Sequence, residues 1–428
     1  MGSIQPVKGA RDFYPEDLAF RRWLYEQIRA VSERFGYQEY DGPFLERLEL
    51  YAAKSGEELV KEQSFVFQDR GGEQIALRPE LTPSLARMVA ARRKQLTMPL
   101  RWWSFGPFWR YERPQRGRSR EFFQWNIDLL GVESAVADAE LATVAAAFFA
   151  EVGLLPGQVQ IRVNDRRLAD RQLNRLGDRL GSMLGGRSAL FRIMDRRERL
   201  SDAEWQRYAV SQGVPDGLLQ GLSGMLANRE AWRESEELVA FFEAAEAMGS
   251  KPYLAYDPWV VRGLDYYTGI VFEARDASGE FRAILGGGRY DDLVAAVGGD
   301  AIPSTGYAMG DVVLGLLLAK YGVAPKPRPS PSQVLVVTFD AESQNQALRA
   351  ATRLRSEGLQ VEWYPSAERL ARQLKYADRL GIPLAVILGP DEIREGALTL
   401  KDLRSGQQER LPASEAGGRI RQLLMRQD

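Results

Sequence analysis

Hydrophobic and polar residues alternate along residues 100–131, and this alternation predicts two antiparallel strands joined by a loop from Arg113 to Ser119. Pro114 and Gly117 lie inside that loop and suit its turn. Because successive side chains of a strand point to opposite faces, one face of the pair should pack in the core and the other should be polar. The polar face is predicted to carry Arg110, Glu112, Arg118, Arg120, Phe122, Gln124, Asn126 and Asp128.

Two interpretations of this polar face stay open from the residues alone. A polar face on an antiparallel pair is usually just solvated. Arginine side chains on either side of an aromatic ring can also hold phosphate by charge and forked hydrogen bonds while the ring stacks on a flat base. In the second interpretation the face binds a nucleotide, and Gln124 and Asp128 contact a small polar substrate further along the same strand.

The segments before residue 100 predict helices around short strands. One helix should begin between Asp12 and Pro15 and end at Gly36, and a second should run from Phe44 to about Ala53. Glu80 follows a short strand, on a turn that two prolines hold stiff. Its carboxylate is positioned either to bind a substrate ammonium group or to cap the helix that begins near Thr82.

The sequence of the middle of the chain predicts a helical insert, followed by a turn that is a candidate recognition site. Residues 166–248 are rich in Arg, Glu and Asp and have few β-branched runs, which favours helices. Arg262, Tyr266 and Tyr267 then surround a glycine-bounded turn, where the tyrosines form either a binding pocket or simple packing at a rim. Three glycines precede Arg289 and Tyr290, but the spacing fits neither a P-loop nor a dinucleotide fingerprint.

The C-terminal region predicts a separate small domain. Residues 324–332 read APKPRPSPS, which is typical of a stiff, extended linker. The strands and helices that follow alternate, and this order predicts a parallel α/β domain with helices on both faces. A predicted helix from Glu368 to Leu380 has a basic side, which is either solvated or a nucleic-acid surface, formed by Arg369, Arg372, Lys375 and Arg379.

Composition narrows the chemistry that this chain can perform. With 428 residues, two or three domains are expected, and 57 basic against 58 acidic residues mean that any nucleic-acid surface must be local. The chain contains no Cys and no His, which excludes disulfides, thiolate nucleophiles and an imidazole base. Neither a signal peptide nor a membrane span is recognisable, so we expect a cytoplasmic protein.

Several segments together resemble the histidyl-tRNA synthetases, a family of class II aminoacyl-tRNA synthetases. The resemblance spans nearly the whole chain and rests on VKGARDFYPED, LRPELT, WRYERPQRGRSREFFQ, VRGLDYYTGIVFE, GGGRYDDL, QLKYADRLGIPLAVILGPDEI and LTLKDL. It implies an α+β fold in which residues 1–323 form a class II catalytic domain, with an antiparallel sheet, flanking helices and the insert. Residues 333–428 would form an α/β anticodon-binding domain, and the segment ending near Pro43 would form a homodimer.

The resemblance also implies roles for individual residues. The histidine pocket would be lined by Glu80, Thr82, Arg110, Gln124, Asp128, Arg262, Tyr266, Tyr267 and Tyr290. ATP would contact Arg110, Glu112, Arg118 and Phe122, and tRNA(His) would contact the loop residues Arg113, Gln115 and Arg116. Arg110 and Arg262 would be the catalytic residues. ATP is expected as a substrate together with Mg²⁺, and no metal site made by the protein itself is expected.

The implied reaction suits a chain without His or Cys. L-histidine would be activated to histidyl adenylate with loss of pyrophosphate, and the histidyl group would then be transferred to tRNA. The substrate carboxylate is its own nucleophile, so the first step needs cations near phosphorus rather than a base. We hypothesise that an enzyme which charges histidine lacks the amino acid so that it can be translated when histidine is scarce.

Two positions depart from the family pattern. Asp128 stands where many relatives have Glu. After Gly310 the class II pattern expects Gly-X-Glu-Arg, with an arginine for the γ-phosphate, but here Asp311 is followed by Val312 and Val313. A helix that starts with Asp and has no Arg is expected to repel phosphate. The compensating residue would be one of three loop arginines, namely Arg113, Arg116 or Arg118.

A second function therefore stays open. If nothing compensates, the chain would be a non-catalytic paralogue that acts as a histidine or tRNA sensor, or as a regulatory subunit of histidine biosynthesis. Regulatory relatives typically lack the C-terminal domain, whereas this chain keeps it. The complete set of pocket, hairpin and C-terminal segments favours the active enzyme.

Overall fold

The computed structural model describes residues 4–52, 63–176, 187–196, 200–262, 266–325 and 330–425. The chain divides into two compact units, one made of Met1–Asp12 with Leu24–Ala324 and the other of Phe13–Trp23 with Pro325–Asp428. Within the described ranges, every helix is too short or too polar to span a bilayer. The predicted linker at residues 324–332 includes residues 326–329, which lie outside these ranges.

The first part of the chain forms the hairpin and the elements around it. They are α1 (Pro15–Arg34), β1 (Gln38–Glu39), β2 (Leu45–Arg47), α2 (Leu48–Ala52), β3 (Phe65–Gln68), β4 (Gln74–Leu77), α3 (Thr82–Arg92), β5 (Leu100–Trp109) and β6 (Glu121–Leu130). The predicted first helix and the two-stranded hairpin are confirmed. The predicted helix from Phe44 is wrong at its start, because β2 pairs with β4 before α2 begins.

The middle of the chain completes the first unit. Its elements are α4 (Ala135–Glu151), β7 (Val159–Asp165), α5 (Arg166–Leu176), α6 (Arg187–Asp195), α7 (Asp202–Ser211), α8 (Asp216–Ala227), α9 (Glu236–Ala247), β8 (Leu254–Tyr256), β9 (Ile270–Asp276), β10 (Leu285–Arg289), α10 (Leu293–Ala296), β11 (Ser304–Gly310) and α11 (Asp311–Lys320). The described residues between β7 and β8 are mostly helical, and Leu173, Trp205 and Leu222 share a small apolar core there.

A large, mainly antiparallel sheet organises this unit. In the described residues its strand order is β1-β5-β6-β11-β10-β9-β7-β8, and only the outer pairs, β1 with β5 and β7 with β8, are parallel. The hairpin register pairs Phe108 with Phe122 and Gly106 with Gln124. A separate small sheet has the order β2-β4-β3. This arrangement places β6, β11 and β10 side by side at the centre of the large sheet.

The second unit confirms part of the predicted α/β alternation. Its later elements are β12 (Val334–Val336), α12 (Gln344–Ser356), β13 (Val361–Trp363), α13 (Leu370–Arg379), β14 (Leu384–Ile387), α14 (Pro390–Glu395), β15 (Ala397–Asp402), β16 (Gln408–Pro412) and α15 (Ala416–Met425). Strand β12 pairs in parallel with β13 and β14, and apolar clusters with helices lie on both faces. The sheet is not purely parallel, because β15 and β16 extend it in antiparallel pairing.

Candidate active site

One face of the central sheet is packed against a helix, and the other carries polar side chains. On the packed face, Trp125 of β6 contacts Phe148 of α4 and Tyr307 of β11, with 5.2 Å between ring centroids in each pair. Gln124 and Asp128 alternate with Trp125 along β6 and therefore lie on the opposite face. The alternation of faces predicted for this strand is confirmed.

Asp128 and Tyr290 form a buried pair on the polar face. The Tyr290 hydroxyl donates a hydrogen bond to Oδ1 of Asp128. Gly306 of β11 lies directly opposite Asp128, and a Cβ at residue 306 would come closer than 3.0 Å to this carboxylate. Burial raises the pKa of Asp128 to about 7, and the hydrogen bond from Tyr290 opposes that rise. A carboxyl group that titrates near neutral pH can serve either as donor or as acceptor for a polar ligand.

A cluster of tyrosines continues from this pair to Glu80. Tyr266 donates a hydrogen bond of 3.2 Å to Oε2 of Glu80. Its ring centroid lies 4.9 Å from that of Tyr267 and 6.0 Å from that of Tyr290. Burial raises the pKa of Tyr266, so its hydroxyl stays protonated and keeps its hydrogen bond to Glu80. The side chain of Thr82 also contacts this hydroxyl. The structure thus brings together Glu80, Thr82, Asp128, Tyr266, Tyr267 and Tyr290 of the predicted histidine pocket.

Arg262 lies over the same sheet face in a constrained conformation. Its φ of 57° is positive, which is uncommon for a residue other than glycine and often marks a functional site. A Cβ at Gly286 would lie within 3.0 Å of the Arg262 guanidinium group, so only glycine leaves room for it. The Nη1 atom of Arg262 donates to Oε2 of Glu273 at 3.0 Å. The next residues, Gly263 to Asp265, lie outside the described ranges.

Glu273 is a functional candidate that sequence reasoning missed. It is a buried carboxylate on β9, and it pairs with both Arg262 and Arg275. Burial acts to raise the pKa of Glu273, but the two guanidinium groups outweigh burial and the pKa falls below its ordinary value. The carboxylate therefore stays charged and fixes the position of Arg262. The signal in the sequence was a single acidic residue inside the apolar run IVFEA.

The end of the hairpin holds the predicted ATP-binding residues. Arg110 follows β5 directly, donates from Nε to the Pro79 carbonyl at 3.0 Å, and places its guanidinium carbon 5.3 Å from the centre of the Phe122 ring. Phe122 stacks on Phe108, with ring planes 27° apart. An arginine beside an aromatic ring is suited to a phosphate and a flat base.

Arg78 is a buried arginine that packs against this end of the hairpin, and its role was missed from the sequence. Its guanidinium carbon lies 4.6 Å from the ring centres of both Phe44 and Phe108. Its Nη1 donates to Oδ1 of Asp41 at 2.6 Å, and its Nε donates to the Pro107 carbonyl at 3.0 Å. Because these contacts tie three segments together, we assign Arg78 to stabilising the platform on which Phe122 lies.

The remaining predicted residues lie in the loop between β5 and β6. Arg118 forms an ion pair with Glu112, so two residues with different predicted roles contact each other. Nη1 of Arg116 lies 3.2 Å from Oε1 of Glu280, and Arg116 is exposed. Arg113 and Gln115 are exposed as well. The loop therefore presents charged and polar side chains at the surface.

Several buried polar atoms on or beside the polar face have no hydrogen-bond partner among the described residues. They include Oε1 of Gln124, Nδ2 of Asn126 and the hydroxyl of Tyr40. Tyr40 packs against Trp102 at 5.3 Å, and the nearby charge of Asp128 adds to burial in raising its pKa. Buried polar atoms are nearly always hydrogen-bonded in proteins, so a polar ligand on this face would supply the missing partners. Asn126 and Tyr40 are two further residues that the sequence did not single out as ligand contacts.

Comparisons with known proteins agree with this geometry. A family model described as histidyl-tRNA synthetase matches residues 9–311, and one for an anticodon binding domain matches residues 333–423. The histidine–tRNA ligase of Thermoplasma volcanium is 38% identical over 420 residues, which cover 95% of this chain and 96% of the relative. The chloroplastic/mitochondrial histidine–tRNA ligase of Arabidopsis thaliana is 36% identical over 422 residues, which cover 96% of this chain and 86% of the relative.

Solved structures give the same fold. The histidyl-tRNA synthetase from Nostoc sp. PCC 7120 superposes with a TM-score of 0.81 at 24% identity and covers 99% of both chains. A Bacillus halodurans protein described as an ATP phosphoribosyltransferase regulatory subunit/histidyl-tRNA synthetase has a TM-score of 0.70 at 21% identity and covers 88% of this chain and 97% of its own. The structural likeness establishes the fold, and the family model and the sequence relatives show that this chain belongs to the histidyl-tRNA synthetase family.

Proposed function

We propose that this chain is a histidine–tRNA ligase, which uses ATP to convert L-histidine to histidyl adenylate and then transfers the histidyl group to tRNA(His). The observation that carries the proposal is that the pairs Asp128–Tyr290 and Glu80–Tyr266 occupy one sheet face, which Arg262 also overlies. The relatives that cover nearly the whole chain are named as ligases, which supports the catalytic function over a regulatory one.

Recognition of histidine is proposed to use the two ends of the tyrosine cluster. Asp128 and Tyr290 would contact the two nitrogens of the imidazole ring, while Glu80 and Thr82 would bind the ammonium group. Gln124, Tyr266 and Tyr267 would complete the pocket. A ligand without those nitrogens would leave buried polar groups unpaired, which costs about 1 to 3 kcal/mol for each group.

Activation of the substrate is proposed to depend on Arg110 and Arg262. The histidine carboxylate attacks the α-phosphorus of ATP, a bond forms between them, and pyrophosphate leaves with the electrons of the broken P–O bond. Negative charge on the phosphoryl oxygens is then greatest near the transition state, where fixed guanidinium groups stabilise it. Glu273 would hold Arg262 in place for this step. In the second step a hydroxyl group at the 3′ end of the tRNA attacks the histidyl carbonyl, and AMP leaves.

ATP is proposed to lie along the hairpin. Phe122 would stack on adenine and Glu112 would accept a hydrogen bond from it, while Arg118 would contact the outer phosphates. Because Glu112 and Arg118 are paired in the structure, binding of ATP would exchange this ion pair for contacts with the nucleotide. Within the described ranges, no three carboxylate side chains form a group that could hold a metal ion. We propose that Mg²⁺ arrives with the phosphates, and we assign it no protein ligands.

Binding of tRNA is proposed to use both units. Arg113, Gln115 and Arg116 would contact the acceptor end near the active site. In the C-terminal domain, the exposed side chains of Arg372, Lys375 and Arg379 on α13 would contact anticodon-stem phosphates. We also propose that the protein acts in the cytoplasm.

A homodimer is also proposed, formed through the segment that ends near Pro43. Its support in the structure is a group of half-exposed apolar side chains that follow this segment or lie on β3 of the same small sheet, namely Phe44, Leu45, Val66 and Phe67. Exposed apolar side chains of this size are stabilised when a partner surface covers them. Light scattering after size-exclusion chromatography tests the proposal, and a mass of one chain would contradict it.

The function is tested by histidine-dependent exchange of labelled pyrophosphate into ATP, followed by charging of a tRNA(His) transcript. We expect exchange with histidine and none with other amino acids, and we expect Arg110→Ala to abolish it. Histidine binding without exchange, measured by calorimetry on the same preparation, would instead support the sensor or regulatory function.

A further inference from the structure

The start of α11 lacks the arginine that the class II pattern expects. Counting from Gly310, Val313 occupies its position, and its side chain is nearly buried. The Cγ2 atom of Val313 lies 3.5 Å from the place that a Cβ at Gly117 would take, so this helix turn packs against the tip of the hairpin loop. An apolar contact with the loop therefore replaces a cation at this position.

Asp311, the first residue of α11, binds two partners that reach it from different segments. Its Oδ1 accepts a hydrogen bond from the backbone N–H of Phe123 at 2.9 Å. Its Oδ2 accepts one from Nη2 of Arg11 at 2.8 Å, in an ion pair whose side chains are 28% and 9% exposed. Burial raises the pKa of Asp311, and the guanidinium group of Arg11 acts in the opposite direction. The helix start thus brings together one carboxylate and one guanidinium group, although Asp311 stands at the X position of the pattern and the guanidinium group comes from the N-terminal segment.

The segment that carries Arg11 is attached to the nucleotide end of the hairpin. The carbonyl oxygen of Gly9 accepts hydrogen bonds from the backbone N–H groups of Arg120 at 3.0 Å and Glu121 at 3.1 Å. These residues directly precede Phe122, the proposed adenine platform, and Phe123 is bonded to Asp311. The two hydrogen bonds to Gly9 and the two contacts of Asp311 therefore hold Arg11 close to the strand on which ATP is proposed to bind.

The loop arginines are less suited to replace the missing cation. Arg116 is exposed and contacts Glu280 and the Phe281 ring. Arg118 is paired with Glu112. Arg113 lies in the exposed part of the loop. Arg11 differs from all three because the carboxylate that fixes its position belongs to the start of α11 itself.

We propose that Arg11, positioned by Asp311, contacts the outer phosphates of ATP in this chain together with Arg118, and that it takes the place of the arginine expected at residue 313. The inference rests on the proposed ligase function. A guanidinium group has five N–H donors in one plane, so it can bond a carboxylate on one side and a phosphate oxygen on another. Asp311 is a positioning residue in this arrangement: it sets the orientation of Arg11 and does not itself contact ATP.

The test measures pyrophosphate exchange and ligand binding for Arg11→Ala, Asp311→Asn and a matched control, Arg101→Ala. Arg101 also forms a partly buried ion pair, with Glu140, but on a different part of the sheet. We expect Arg11→Ala to raise the KM for ATP by about 10- to 100-fold, the range for losing a hydrogen bond between charged groups. The KM for histidine and the affinity for a sulfamoyl analogue of histidyl adenylate, which has no outer phosphates, should change less than twofold.

Further variants separate a phosphate contact from a purely structural ion pair. Asp311→Asn keeps an acceptor for the Phe123 N–H but loses the ion pair, so we expect a smaller rise in the KM for ATP. Adding Val313→Arg to Arg11→Ala should restore part of the ATP affinity, because it returns a cation to the expected position. An unchanged KM for ATP in Arg11→Ala, or equal losses for ATP and the adenylate analogue, would overturn the inference. Absence of exchange in the wild-type protein would instead contradict the proposed function.

Discussion

The hydroxyl group of Tyr290 donates a hydrogen bond to the carboxylate of Asp128, across 162 residues of sequence, and both side chains are buried on the polar face of the sheet. Neither partner is paired with a fixed cation in this contact. The pair is therefore held by one hydrogen bond in a nearly dry environment, where a ligand that offers a second partner would gain strongly. Because Asp128 has a pKa of about 7, its charge responds to the same pH range in which imidazole titrates.

Replacing Tyr290 with Phe should weaken histidine binding and leave ATP binding unchanged. The substitution removes the donor to Asp128 but keeps the ring that packs against Tyr266. Loss of a hydrogen bond to a buried carboxyl group costs about 1 to 3 kcal/mol, so we expect the KM for histidine to rise roughly 5- to 150-fold. Steady-state exchange kinetics measure it. Tyr307→Phe is the control, because the Tyr307 hydroxyl is buried on the opposite face and has no partner among the described residues.

Asp128 should make the free protein less stable as the pH rises through neutrality. Its folded-state pKa of about 7 is higher than the value of 3.8 in the unfolded chain, so its contribution to stability is fully present below pH 3.8 and is lost as the pH rises to 7. Between pH 5 and pH 8 the loss is about 2 to 3 kcal/mol, as an upper limit. Asp128→Asn removes this dependence. Urea unfolding at four pH values gives the free energy of unfolding of the wild-type protein and of Asp128→Asn. If the two free energies change with pH in parallel, the raised pKa of Asp128 is contradicted.

The sequence predicted the elements of this site better than the contacts between them. Alternation along β6 places Gln124 and Asp128 on one face, because that property depends only on neighbouring residues. The same pattern carries no information about which distant side chain reaches Asp128, so Tyr290 entered the pocket only through the family resemblance. Glu273 was missed for a similar reason: its partner Arg262 lies over β10, and only the sheet register brings the two together.

The pairing of Arg11 with Asp311 shows the limit of local reasoning most clearly. From the sequence, Asp311 at a helix start without a following arginine indicated repulsion of phosphate. The structure shows that a guanidinium group from the N-terminal segment contacts this carboxylate, 300 residues away in sequence. The charge at a helix end can be read from neighbouring residues only if no distant segment contacts that end. In β-sheet proteins, contacts between residues far apart in sequence are common.

Replacing Gly286 with Ala should inactivate the enzyme without unfolding it. The new Cβ would overlap the guanidinium group of Arg262, which is the flexible end of a long side chain and can move away. We expect the exchange rate to fall about 100-fold or more, as for loss of a fixed group that stabilises developing charge. The melting temperature should change little. Gly157→Ala is the control, because a Cβ there meets no atom within 4 Å. Loss of folding in Gly286→Ala would show that Arg262 cannot move.

Replacing Arg372, Lys375 and Arg379 together with Ala should weaken tRNA binding and leave amino-acid activation intact. These exposed side chains lie on α13, and each phosphate contact contributes about −0.7 to −0.9 to the slope of log K against log salt. The triple variant should therefore bind tRNA(His) more weakly and with a slope smaller by about 2 to 3. Filter binding at several salt concentrations measures this slope, and pyrophosphate exchange should match wild type.

A matched triple variant, Arg394→Ala, Arg404→Ala and Arg410→Ala, removes the same charge from other exposed positions of the domain. If that variant loses more affinity than the α13 variant, the tRNA surface lies elsewhere, and if exchange falls with the α13 variant, activation depends on the C-terminal domain.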